Sequence, residues 1–154
     1  MVTVTRFIKK GGAGLLLAVL VLVLSACGPE PVMDQPAEDG NFHYRNQSLG
    51  FEVTLPPSFE HYQTQRREKN DYTEIVFLVP TSDTSAFQVV SGYGKPLTVR
   101  VYKQKKENYG DFREFAQKDG NYYTVDFWER IPRDWQNQWS EEVQNKIKQS
   151  LKLK

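Results

Sequence analysis

Residues 72–79 read YTEIVFLV, and the last five of them form an unbroken apolar run. A short apolar run bounded by turn residues is typical of a strand that is covered on both faces. Residues 62–69 precede it across Asn70 and Asp71, residue types that tolerate the positive φ of a tight turn. This stretch therefore predicts the second strand of a hairpin, in the interior of a sheet.

Several segments on either side of this hairpin also have the composition of strands. Residues 51–55 (FEVTL) and 97–102 (LTVRVY) alternate apolar and polar side chains, the pattern of a half-buried strand. Short strands are also predicted at 42–45 and 122–128, with turns at 46–50 and 119–121, whereas 109–118 suits a helix or a strand. These segments predict a mainly antiparallel sheet of about five to seven strands.

The last part of the chain changes from a period of two to a period near four. Pro132 suits the first turn of a helix, and apolar residues then recur at every fourth position, namely Trp135, Trp139, Val143, Ile147 and Leu151. This stripe predicts a C-terminal amphipathic helix that packs on the sheet. The predicted fold class is α+β.

Composition and charge exclude several classes of protein. A chain of 154 residues suggests one domain, and a net charge of +1 lacks the basic excess of a nucleic-acid-binding protein. One cysteine excludes an internal disulfide framework and C-x-x-C metal spacing. The two histidines, His43 and His61, are not at metal-ligand spacing, and no nucleotide-binding or nucleophile motif is present. The sequence therefore predicts no metal, no cofactor and no catalytic residue.

The N-terminus has the organisation of a secretory signal peptide. Residues 1–10 are basic, and residues 15–24 (LLLAVLVLVL) are apolar. The apolar block is shorter than the ~20 residues that a spanning helix needs. Gly28 and Pro29 then end any helix.

The lone cysteine follows this block, in Leu24-Ser25-Ala26-Cys27. This order, a branched apolar residue, two small residues and cysteine, resembles the lipobox of bacterial lipoprotein precursors. The resemblance implies recognition of Leu24, Ser25 and Ala26 by the signal peptidase, a diacylglyceryl group on the Cys27 thiol, cleavage before Cys27 and N-acylation there. It also implies anchoring on the outer face of the cell membrane, or on a periplasmic face if the source has an outer membrane. The alternative is a buried cysteine in an uncleaved anchor.

A polar tether follows the cysteine. Residues 28–41 contain three prolines and two glycines, and all four of their charges are acidic. The predicted organisation is a signal peptide at 1–26, a lipidated cysteine and flexible tether at 27–41, and one α+β domain at 42–154.

A second resemblance covers this domain. Its motifs are Tyr44-Arg45-Asn46, the segment GFEVTLP at 50–56, a polar hairpin, a Leu-Thr-Val strand at 97–99, and a closing helix that ends in SLKL at 150–153. Together they are similar to PsbP-like domains. That resemblance implies an α/β sandwich and a non-catalytic binding or assembly role.

Aromatic and basic residues cluster in the second half of the domain. An exposed patch of such residues is the usual material of a protein-binding hot spot or of sugar stacking. The possible binding surface comprises Tyr93, Arg100, Tyr102, Tyr122 and Tyr123. The alternative is that these rings form cross-strand pairs that only stabilise the sheet.

The leading functional hypothesis is a membrane-anchored lipoprotein whose domain binds an envelope protein or a glycan. One rival is a cell-envelope hydrolase that acts on glycan or peptide through a carboxylate pair, either Asp111 with Glu114 or Asp126 with Glu129. Another is a purely structural envelope component. We do not expect the domain to bind a nucleic acid.

Overall fold

The structure is a computed structural model that describes residues 36–86 and 90–154. Within them, eight antiparallel strands form two sheets, and one α-helix follows the seventh strand, so the α+β prediction is confirmed. The elements are β1 Phe42–Asn46, β2 Phe51–Leu55, β3 Gln63–Glu68, β4 Tyr72–Pro80, β5 Tyr93–Tyr102, β6 Arg113–Lys118, β7 Asn121–Phe127, α1 Glu141–Ser150 and β8 Lys152–Leu153.

The larger sheet has the strand order β3-β4-β5-β7-β6. The run that predicts an interior strand lies in β4, which is buried from Thr73 to Val79. Ile75, Phe77 and Val79 belong to the main core, and the intervening Val76 and Leu78 are equally buried on the opposite face. This interior position is therefore confirmed. Segment 109–118, which suited helix or strand, provides the edge strand β6.

The smaller sheet has the order β1-β2-β8 and shares one core with the larger sheet. Phe51, Val53 and Leu55 of β2 are at most 1% exposed and pack in this core. The two sheets together contain eight strands, one more than the upper limit of the prediction. The strand that the sequence does not predict is β8, which is only two residues long and follows the helix directly. A pair of residues is too short to show a strand period.

The C-terminal helix is shorter than its apolar stripe predicts. It begins at Glu141 rather than near Pro132, because Ser140 has extended backbone angles and its Oγ accepts the Val143 amide at 3.2 Å as an N-cap. The stripe instead covers a short 3-10 helix, Arg133–Trp135, and then α1. Trp139 lies between them, and its N–H donates to Trp135 O at 2.9 Å, which closes a turn. Both tryptophans are nevertheless buried, and Trp135 Nε1 donates to Pro80 O at 2.9 Å, which attaches this turn to β4.

Two hairpin turns have different backbone conformations. Asp119 and Gly120 join β6 to β7 with φ of 51° and 77°, which is the type I′ geometry that an Asp-Gly pair favours. In contrast, Asn70 and Asp71 are not among the described non-glycine residues with positive φ. The positive-φ turn suggested for 70–71 is therefore wrong, and a turn with negative φ joins β3 to β4.

Candidate functional site

The structure brings together only part of the surface that the sequence suggests. Arg100 and Tyr102 alternate along β5, and Tyr122 is the register partner of Tyr102, so these three lie on the face away from the main core. Tyr123 points the other way, is 4% exposed and donates its hydroxyl to Leu49 O at 2.9 Å. The expectation that Tyr123 belongs to an exposed surface is therefore wrong, because neighbouring strand residues face opposite sides. The same expectation is wrong for Tyr102, which is 5% exposed because neighbouring rings cover it.

Arg100 is held by an ion pair and two rings. Its Nε lies 2.9 Å from Glu74 Oε2, and its Cζ is 3.8 Å from the Phe112 ring centroid and 4.6 Å from that of Tyr72. Arg67 contacts the other Glu74 oxygen at 3.4 Å. Burial lowers the pKa of Arg100, but hydrogen bonds to Glu74 and Tyr102, together with the charges of Glu74 and Tyr72, outweigh burial and raise the pKa above its ordinary value. The guanidinium group thus stays charged and is committed to internal contacts.

The tyrosines of this face also contact other side chains of the domain. The Tyr102 ring centroid lies 5.0 Å from that of Tyr72 and 5.1 Å from that of Tyr109. Tyr109 donates to Glu114 Oε2 at 2.9 Å, and the Tyr93 hydroxyl accepts Gln63 Nε2 at 2.8 Å. These contacts match the alternative interpretation, in which cross-strand aromatic pairs stabilise the sheet. A site with free binding groups has to lie elsewhere.

An open groove of about 340 Å³ lies between α1 and the end of β7, and we call it the helix groove. It forms because β6 begins at Arg113, opposite Val125, so the last two residues of β7 extend past their neighbour. Its lining residues are Asp111, Arg113, Val125, Asp126, Phe127, Glu141, Gln144, Asn145 and Lys148.

The helix groove brings together two carboxylates that the sequence places in different pairs. Burial raises the pKa of the Asp126 carboxyl, against the opposing effect of Lys95, and the charge of Asp111 raises it further. Glu129 does not line the groove, and Glu114 instead accepts the Tyr109 hydroxyl. The structure therefore associates Asp126 with Asp111 and supports neither of the two predicted pairs.

Hydrogen-bonding groups in the helix groove are largely uncommitted. Within residues 36–86 and 90–154, no hydrogen bond or salt bridge involves the side chains of Asp111, Glu141, Gln144 or Asn145. This contrasts with Glu74 and Arg100, whose polar atoms are paired. Sequence reasoning missed Gln144 and Asn145, because a helix pattern separates polar from apolar faces without showing which polar face borders another element. The helix groove is the best candidate for a ligand site.

The histidines take part in local contacts only. His43 lies 3.1 Å from Thr54 Oγ1 through Nδ1 and 3.2 Å from Asp39 Oδ2 through Nε2, and His61 is 3.8 Å from Glu60. In the described part of the chain, no group of three or more His, Cys, Asp or Glu side chains could hold a metal ion.

The predicted lipidation and processing residues, Leu24, Ser25, Ala26 and Cys27, lie outside the described residues. Among the residues that are described, no helix has the length and apolar character needed to cross a membrane. Comparison with protein-family models, with curated proteins and with solved structures found no match to this chain.

Proposed function

We propose that this chain is the precursor of a membrane-anchored extracytoplasmic lipoprotein whose domain, residues 42–154, is a non-catalytic binding module. The supporting observation is the order of the first 27 residues: a basic segment, ten apolar residues, and Leu-Ser-Ala-Cys at the expected distance. The anchor is the diacylglyceryl and N-acyl lipid on Cys27.

The physical chemistry of anchoring fits this arrangement. A single acyl chain binds a membrane only marginally, whereas two chains anchor durably at about 0.8 kcal/mol per buried methylene. The polar segment between Cys27 and Phe42 would hold the domain close to the membrane, within reach of partners near its surface.

Fatty-acid labelling tests the anchor. Cells producing the wild-type chain, Cys27→Ser or Ser25→Ala are grown with radioactive palmitate and then fractionated. We expect labelled, membrane-bound protein for the wild type and for Ser25→Ala, which keeps a small residue in the lipobox. Cys27→Ser should be unlabelled because it has no thiol. Label on the Cys27→Ser protein would contradict the proposal.

A binding role rather than catalysis is supported by the open shape of the helix groove and by its mixture of amide, acidic and basic groups. The rival is a glycan hydrolase, and the observation in its favour is the shared location of Asp111 and Asp126. Incubation with purified cell-wall glycan separates the two. New reducing ends that disappear with Asp126→Asn would favour the hydrolase, and intact glycan would favour binding.

For the fold, we propose a PsbP-like α/β sandwich. The resembling segments Tyr44-Arg45-Asn46 and 50–56 lie in or beside β1 and β2, and the closing segment 150–153 spans the end of α1 and β8. An antiparallel sheet with a C-terminal helix is consistent with that family. An experimental structure tests this, since a strand order unlike that of PsbP-like domains would contradict it.

A further inference from the structure

We propose that the helix groove binds a hydroxyl-rich, uncharged segment of a cell-envelope glycan. This deepens the proposed function and rests on it, because an extracytoplasmic location is what would expose the domain to such polymers. The juxtaposition of Asp111 and Asp126 with Gln144 and Asn145 of α1 forms the recognition surface.

The lining groups have the chemistry that sugar hydroxyls require. A carboxylate, a carboxamide or a guanidinium is planar and presents two polar atoms side by side, so each can contact two neighbouring hydroxyl groups. The helix groove contains all three types, and they belong to the segment before β6, to the first residue of β6, to β7 and to α1. Groups that converge from several elements can fix the orientation of a ring.

The charge of the lining argues against an anionic ligand. Three acidic side chains face two basic ones, Arg113 and Lys148. Arg113 and Lys148 offset most of the charge of Asp111, Asp126 and Glu141, so the lining gives a phosphate or carboxylate no net attraction. An uncharged, hydroxylated ligand needs no such attraction and can both donate and accept hydrogen bonds.

The apolar part of the lining argues against a protein partner. Val125 is 2% exposed, and Phe127 packs with its ring centroid 5.9 Å from that of Trp139. Neither residue forms a deep pocket into which a partner's aromatic anchor could insert, as hot spots of protein interfaces require. The volume of about 340 Å³ lies near the lower limit for small-ligand pockets, which suits one or two sugar rings.

Several polar side chains of the helix groove make no hydrogen bond to the other residues that the structure describes and are available to a ligand. Asp111, Glu141, Gln144 and Asn145 have no hydrogen-bond partner among the described residues. A ligand that bonds to several of them forms new hydrogen bonds without breaking any within the protein. Its hydroxyl groups then replace only the water molecules that would otherwise hydrate these side chains.

The test uses the full-length chain purified in detergent and saturation-transfer NMR with N-acetylchitotetraose, followed by calorimetric titration. We expect saturation transfer to the tetrasaccharide. Gln144→Ala and Asn145→Ala should each weaken binding by roughly 3- to 10-fold, the effect of losing one hydrogen-bonding group. Gln149→Ala, on the same helix but outside the helix groove, is the matched control and should leave the affinity unchanged.

Two outcomes would overturn the inference. One is the absence of saturation transfer to the tetrasaccharide. The other is saturation transfer to an unstructured penta-alanine peptide that competes with the tetrasaccharide, which would identify a peptide site. Failure of this test leaves the labelling result for Cys27 unaffected, because lipidation depends on residues 24–27 alone. The two proposals can therefore fail separately.

Discussion

At the scale of single residues, Asp126 is a carboxyl group whose ionisation opposes folding. Because burial raises its pKa in the folded state, the folded protein binds the proton more tightly than the unfolded chain does. Stability therefore falls as the pH rises through the unfolded and folded pKa values. We expect Asp126→Asn to increase the free energy of unfolding at pH 7 and to have no such benefit at pH 3, as measured by urea denaturation.

Asp134 provides a control, because its pKa is lowered in the folded state whereas that of Asp126 is raised. Burial would raise the pKa of its carboxyl, but hydrogen bonds from Thr81 and Ser82 outweigh burial and lower it. Its stabilising effect is thus present above the unfolded pKa and is lost as the pH falls through the folded pKa. Asp134→Asn should therefore decrease stability at pH 7. Equal changes in the two variants would contradict the assigned directions.

Part of this residue-level chemistry could be predicted. Asp111 and Asp126 are recognisable as candidate carboxylates from the sequence, but their association depends on the register of β6 against β7 and on where β6 begins. No local pattern encodes that end point. The exposure of Tyr123 was predicted incorrectly for a related reason, since a cluster in sequence divides between two faces once it forms a strand.

At the scale of elements, the start of α1 depends on one hydroxyl group. Ser140 Oγ accepts the Val143 amide at 3.2 Å and satisfies one of the unpaired donors of the first turn. We expect Ser140→Ala to lower the free energy of unfolding by about 1 kcal/mol, the usual cost of losing an N-cap.

Ser140→Asp is the matched variant, because aspartate also caps helices and its charge favours the N-terminus. It should retain most of the wild-type stability in thermal and urea denaturation. If Ser140→Ala and Ser140→Asp were equally destabilised, the cap would not be the cause.

The elements differ in how much of them could be predicted. The apolar run of β4 and the alternation of β2 are strong signals, because the residue types follow burial directly. A strand that is buried on both faces is apolar throughout, and a strand that is buried on one face alternates apolar and polar residues. The helix boundary is a weaker signal, because Trp135 and Trp139 continue the fourfold spacing although both precede α1, and Trp135 belongs to a separate 3-10 helix. Their apolar character predicts their burial correctly, but it does not show where the α-helix begins.

At the scale of the whole molecule, Tyr123 connects the two sheets. Its ring lies in the core of the larger sheet, and its hydroxyl donates to Leu49 O in the turn between β1 and β2, 74 residues away in the chain. We expect Tyr123→Phe to lower the free energy of unfolding by about 1 kcal/mol, the typical net contribution of such a bond.

Tyr122→Phe is the matched control for this substitution. The neighbouring tyrosine accepts only an exposed bond of 3.3 Å from Gln117, so its loss should change stability by less than about 0.5 kcal/mol in the same denaturation measurement. A larger effect for Tyr122→Phe than for Tyr123→Phe would contradict the role of Tyr123 as the connection between sheets.

The architecture of two sheets could not be predicted from the sequence. Strand types are local properties, whereas the assignment of β8 to β2 depends on the packing of α1, whose Ile147 is 1% exposed in the core. The helix groove has the same origin, since it exists only once α1 lies beside the end of β7.

The pairing of β8 with β2 has a consequence for biosynthesis. Lys152 and Leu153 complete a sheet begun by residues 42–46, and Thr54 N bonds to Ser150 Oγ across 96 residues. At ordinary translation speed, roughly 5–20 s separate the synthesis of β2 from that of its partner. The smaller sheet can therefore gain its third strand only after every strand of the larger sheet has been synthesised.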